Sequence, residues 1–147
     1  MLKAIKSSWL IDGYSKSPIE DAVLLFDGDT IVAAWPSSSV PLDSNIQIFD
    51  APGCTTLPGL IDCHVHVTLD TSVMAIENML ETSNEQLFQT ACVNVRRALA
   101  AGITTMRDCG GRDDVVFRVK AAIENANGRN GKRYRLRDSR GGNICLA

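Results

Sequence analysis

The chain has 147 residues, 45% of them hydrophobic and 22% charged, which suits a soluble globular protein of one ordinary domain or two small ones. A net charge of −2 argues against a generic nucleic-acid binder. No apolar run approaches the ~18 residues that a membrane span needs.

The charge is unevenly spread. Between Gly128 and Arg140 lie Arg129, Lys132, Arg133, Arg135, Arg137 and Arg140 against Asp138 alone, a net of +5 that leaves −7 elsewhere. Such a run can bind phosphates, but a solvated segment is the commoner outcome. The cysteines are Cys54, Cys63, Cys92, Cys109 and Cys145, an odd number without a CxxC pair. Lys3 and Lys6 are not followed by an apolar signal region. Free thiols in a reducing, cytoplasmic setting are the expectation.

In chain order, residues 1 to about 57 read as short strands over Leu2–Ile11, Ala22–Phe26, Thr30–Trp35 and Ile46–Phe49. Turn-rich pieces separate them, and Asp27-Gly28 is a hairpin signal. This is a small, mostly antiparallel β unit, with Trp9 and Trp35 as core candidates. The pattern then changes. Leu60–Val67 reads as a strand, and Val73–Leu80 as a short helix. Ser83 with Gln86 resembles a capping box opening a second helix. Leu87, Phe88, Ala91, Cys92, Val95, Ala98 and Leu99 recur along that helix at helical spacing. Gly102 stops it. Ile103–Met106 is a buried strand and Gly110-Gly111 a turn. Asp113 and Asp114 suit the positive end of a third helix, with Val115, Val116, Val119, Ala122 and Ile123 inward and Asn127-Gly128 at its end. Asn143–Leu146 reads as the start of one more strand. This alternation is the βαβ pattern of a parallel sheet or barrel.

His64-Val65-His66 is the informative feature. Side chains two apart on a strand share a face, with Cα atoms about 6–7 Å apart. Two imidazoles can converge from there on a metal at about 2.0–2.1 Å per Zn–N bond. Asp62 shares that face, while Ile61, Cys63, Val65 and Val67 form an apolar face expected to pack under helices. The pair supplies only two of the three or four ligands a zinc site needs, so a coincidental pair stays open on spacing alone.

Leu57-Pro58-Gly59-Leu60-Ile61-Asp62-Cys63-His64-Val65-His66 resembles the LPGLIDxHxH segment that opens the barrel of the amidohydrolase superfamily. Ala101-Gly102-Ile103-Thr104-Thr105-Met106-Arg107-Asp108-Cys109-Gly110-Gly111 resembles the AGxTTxRDxGG second strand of its imidazolonepropionase-like and Xaa-Pro-dipeptidase-like branch. The resemblance covers residues 1 to about 127, and Gly142–Leu146 matches the start of a third strand. It implies an α/β fold: a small β-sandwich-like unit over 1–57, then the first two to three βα units of an incomplete TIM-type (β/α)₈ barrel over 58–147. It also implies His64 and His66 as ligands of a divalent metal, zinc foremost, with one or two ions in the complete site. The reaction implied is hydrolysis of the C–N bond of a small amide or dipeptide-like substrate, without nucleic acid or membrane as partner.

The family completes its site with a carboxylated lysine or glutamate on the fourth strand, histidines on the fifth and sixth, and an aspartate on the eighth. No histidine follows His66, and Lys120 and Lys132 do not fit the fourth strand. A barrel needs ~250 residues, whereas 89 follow Pro58. Residues Gly131–Arg140 also lack the family's Gly-Pro-Arg stretch. The expectation is a truncated chain, inactive alone, or else a non-catalytic fragment or split module that needs an oligomer or a complementing chain. Asp108 closes the second strand. It reads either as a residue orienting a histidine or as a loop carboxylate accepting N–H bonds from the glycine turn. Cys63, opposite the histidines, reads as a core hydrophobe. Cys109 is undecided.

Overall fold

The computed structural model describes residues 1–39, 42–130 and 135–137, with the backbone alone at 126–130 and 135–137. The chain divides into two compact units, Met1–Pro58 and the part from Gly59 onward.

Among the described residues, the first unit forms one four-stranded sheet of order β3-β2-β1-β4. Its strands are β1 (Leu2–Leu10), β2 (Ile19–Asp27), β3 (Thr30–Pro36) and β4 (Gln47–Thr56). The hairpins β1–β2 and β2–β3 are antiparallel, but β1 and β4 run parallel. The sheet is therefore mixed. Ala4, Val23 and Leu25 form its buried core, with Trp35, Leu42 and Ile46 packed on it. Trp9 is not in that core. The β1–β4 register shifts between Ser7 and Trp9, Ser7 and Leu10 are buried, and Trp9 is left 42% exposed.

The second unit starts with β5 (Leu60–Val65), followed by α1 (Ala75–Glu81), α2 (Asn84–Ala100), β6 (Ile103–Asp108), α3 (Val115–Asn130) and β7 (Arg135–Arg137). The sheet order is β5-β6-β7, and both pairings are parallel. β7 lies within the basic run that composition reads as a solvated segment. Its pairing places Met106 opposite Leu136 and Arg107 opposite Arg137. The strand expected over Asn143–Leu146, Lys132 and Cys145 lie outside the described residues.

α2 forms for the reasons expected, whereas α3 has no acidic residue in its first turn. Ser83 accepts the Gln86 N–H and the Gln86 side chain returns to the Ser83 N–H, a complete capping box for α2. Leu87, Ala91 and Val95 are buried, and Phe88, Cys92, Ala98 and Leu99 pack beside them. Gly102 ends the run at φ +87°, a conformation that costs a side-chain-bearing residue dearly. α3 contributes Val115, Val116 and Val119 to the interior. It continues through Asn127-Gly128 to Asn130, since a helical glycine costs only ~1 kcal/mol. Val67, Ala91, Val95, Met106, Val116 and Val119 make one core between sheet and helices. Each valine or methionine among them is worth about 1.5–3 kcal/mol of burial.

One glycine is sterically required. A Cβ on Gly59 would lie 2.1 Å from Thr104 Oγ1 and 2.6 Å from Thr104 Cβ. The start of β5 thus runs directly against β6, where Leu60 N donates to Gly102 O at 2.9 Å.

Two stability outcomes follow. Ser83→Ala should lower the unfolding free energy by ~1 kcal/mol, read as a shifted urea midpoint at unchanged slope. Gly59→Ala should cost about 1–3 kcal/mol by overpacking. Thr104→Ala should not rescue it, because Thr104 Cβ is itself too near. A Gly59→Ala chain as stable as the parent would refute the close approach.

Candidate metal centre at the ends of β5 and β6

Parallel pairing brings the C-terminal ends of β5 and β6 to one side of the sheet. Val65 pairs with Asp108, and Cys109 N donates to Val65 O at 2.9 Å. β5 stops at Val65, two residues short of the Leu60–Val67 expectation. The reason is local: Val67 N–H leaves the ladder direction and donates to Asp108 Oδ2 at 2.9 Å. His66 is thereby released from the strand, and Leu69 N turns back to His66 O at 3.1 Å.

The two imidazoles stay together across this break. Their ring centroids are 5.4 Å apart and their planes meet at 67°. Both residues are exposed. His66 Nδ1 lies 2.7 Å from Gly110 O. A carbonyl oxygen only accepts, so the attraction requires a proton on Nδ1. In the neutral ring the lone pair then sits on Nε2, free for a ligand. Asp62 Oδ1 accepts the His64 N–H at 3.0 Å, which fixes the backbone where His64 projects.

Asp108 is 1% exposed. Its two oxygens are taken by backbone donors, Val67 N on Oδ2 and Gly110 N on Oδ1 at 2.8 Å. The carboxylate thus meets the glycine turn, one of the two alternatives read from sequence, and it bonds to neither imidazole ring directly. Arg107, one residue earlier, is exposed.

Cys63 is exposed instead of packed under a helix, and Ile61 is 67% exposed. The β5–β6 register shifts between Leu60 and Ile61 and again between Asp62 and Val65, so strict alternation fails. Only Val65 and Val67 of the expected apolar face reach the core. Cys109 Sγ lies 3.9 Å from Cys63 O and 3.8 Å from Arg107 O. Cys54, Cys63, Cys92 and Cys109 are all free thiols. Burial pushes the Cys92 thiol up, against the smaller opposing effect of Arg96, as suits a packing residue.

Two supports escaped the sequence reading. Asn94 Nδ2 donates to Val67 O and Leu69 O, each at 2.9 Å, tying α2 to the turn after His66. Its signal was a polar residue three positions after buried Ala91, on the apolar stripe. Arg112 is the second. Its guanidinium donates to Met79 O and Leu80 O at 2.9 Å, to Thr82 O at 2.5 Å and to Asn84 Oδ1. It therefore ties the end of α1 to the loop after β6. Nothing local in the sequence marks Arg112, because its partners, three backbone carbonyls and the Asn84 side chain, lie about thirty residues away.

Among the described residues, no group of three or more His, Cys, Asp or Glu side chains is placed to hold a metal. His64 and His66 meet there as a pair. None of the described helices is long and apolar enough to cross a membrane.

Comparison with known proteins fits this site to a family. The amidohydrolase family pattern matches residues 55–130, just over half of the chain, including both strand ends. An imidazolonepropionase of Pseudomonas aeruginosa (strain UCBPP-PA14) is 39% identical over 56 residues, 38% of this chain and 14% of that protein. An adenine deaminase of Chelativorans sp. (strain BNC1) is 29% identical over 126 residues, 83% of this chain and 18% of that protein. A prolidase solved in complex with N-methylphosphonate-L-proline shares 27% identity at a TM-score of 0.69, covering 85% of this chain and 29% of that chain. A Xaa-Pro dipeptidase with bound methionine reaches a TM-score of 0.72 over 86% of this chain and 31% of that one; its 22% identity makes this a likeness of fold. The chain spans only 12% to 18% of the curated relatives that it matches. With the two strand motifs, the His pair and the βαβ order in place, the chain belongs to the amidohydrolase family.

Proposed function

We propose that this chain carries the first part of the metal site of a metal-dependent hydrolase acting on the C–N bond of a small amide or dipeptide-like substrate. The observation that carries the reading is the meeting of two imidazoles, 5.4 Å between centroids, just where β5 ends. His64 and His66 are the proposed ligands. The His66 Nδ1 contact with Gly110 O supports coordination through Nε2. Family membership and the parallel β5-β6-β7 order favour the opening βα units of a (β/α)₈ barrel, preceded by a small β domain over 1–57. Enzymes of this superfamily generally use divalent metals, and imidazole suits zinc among several ions. When bound at such a site, the ion supplies an activated water near neutral pH and polarises the scissile carbonyl. The protein's part is to hold two neutral imidazoles at a fixed separation beside the glycine turn.

A second reading, favoured by the missing third ligand among the described residues, is a module that does not catalyse alone. It would complete its site with a further chain segment, a second copy or a complementing polypeptide. β5 is an edge of its sheet, and an edge strand offers unpaired backbone groups to an added strand.

Calorimetric titration of the metal-free chain with zinc tests the site. The parent should bind about one ion per chain, and His64→Ala and His66→Ala should each weaken binding about tenfold or more. Equal binding by parent and variants would end the metal reading. Amide hydrolysis by the chain alone would exclude the second reading, whereas hydrolysis appearing only on mixing with a polypeptide bearing later histidines would favour it.

A further inference from the structure

We propose that Asp108 is a positioning residue for His66, acting through the backbone of Gly110; the role rests on the reading of His66 as a metal ligand. The connection is continuous. The Asp108 carboxylate, 1% exposed, accepts Gly110 N–H at 2.8 Å on one oxygen and Val67 N–H at 2.9 Å on the other. Gly110 O in turn accepts His66 Nδ1–H at 2.7 Å. One carboxylate thus fixes the peptide that follows His66 and also the residue whose carbonyl holds the ring.

The chemistry needs both carboxylate oxygens. Each is an acceptor, and charge-assisted bonds to N–H donors are the strong kind. An amide in its place offers one acceptor oxygen and an NH₂ that would face a second N–H donor. Gly110 has φ +140°, which L side chains rarely adopt, so its carbonyl is aimed by a backbone that the carboxylate holds and only glycine tolerates. Among the described residues no basic side chain pairs with Asp108. A buried carboxylate without a cation is costly unless hydrogen bonds satisfy it, and the bonds it makes all converge on His66's two flanks. The consequence is a chosen tautomer. Imidazole free in water favours the proton on Nε2; this arrangement moves it to Nδ1 and turns the Nε2 lone pair outward before any metal arrives.

The test reads the tautomer directly, without metal. Long-range ¹H–¹⁵N spectra of the labelled chain at about pH 8, above the ordinary histidine pKa, distinguish the two ring nitrogens. His66 should be in the Nδ1–H form. In Asp108→Asn it should shift towards a mixture or the Nε2–H form, with the His64 pattern and the amide dispersion unchanged. Zinc affinity should fall about 10–100-fold in the same variant. A parent His66 in the Nε2–H form, or an Asp108→Asn spectrum identical to the parent's, overturns the assignment. Should Asp108→Asn fail to fold, Asp108→Glu carries the same measurement; collapse of both variants also overturns it, because Asp108 would then be a requirement of the whole fold. An Nδ1–H ring in a parent chain that takes up no zinc would refute the metal reading while leaving the positioning role intact.

Discussion

The parallel pairing of β5 with β6 governs everything at the candidate site. His66 and Gly110 are 44 residues apart, and only a crossover that lays the second strand beside the first brings them into contact. α2 provides that crossover. Its inner face packs with Met106 of β6 and with Val116 and Val119 of α3. Burial of apolar surface by two helices thus sets the register in which one strand's end meets the other's. Gly59 sets it at the opposite end, because any larger residue would push β5 away from Thr104. The geometry where the two strands end is a by-product of close packing where they begin.

The end of β5 shows how a ladder is stopped on purpose. Continuing the strand would keep Val67 N–H aimed along the sheet. Asp108 offers a charged acceptor instead, and the chain turns. A strand that ends one residue before a histidine leaves that imidazole free to swing to the glycine turn, while the preceding one stays on the sheet. The pair therefore consists of one ring from regular structure and one from a turn, and each is held by a different device: Asp62 at the backbone of His64, Gly110 at the ring of His66.

Much of this was legible in the sequence, and the reasons are specific. α2 was readable to its capping residue because Ser83, Gln86 and seven apolar positions all speak through local rules. The turn glycines and the His-x-His spacing were equally local. What escaped had non-local causes. The parallel placement of β4 beside β1 and the outward turn of Trp9 are set by pairing between strands that no single strand announces. The exposure of Ile61 and Cys63 accompanies two register shifts between β5 and β6. Asp108 was legible as a residue of interest, yet its two readings could not be separated without knowing where Val67 and Gly110 point. β7 lies in a stretch whose basic composition hides a strand signal.

Arg112 carries a further implication. Its guanidinium gathers three carbonyls from the end of α1 together with Asn84, so the loop after β5 and the loop after β6 are stapled into one body. Loops at the ends of strands are usually free to vary one at a time. Here an insertion in either loop would pull on its neighbour, and the pair must drift together or lose the staple first. Evolutionary tinkering on this rim would thus come in coordinated steps.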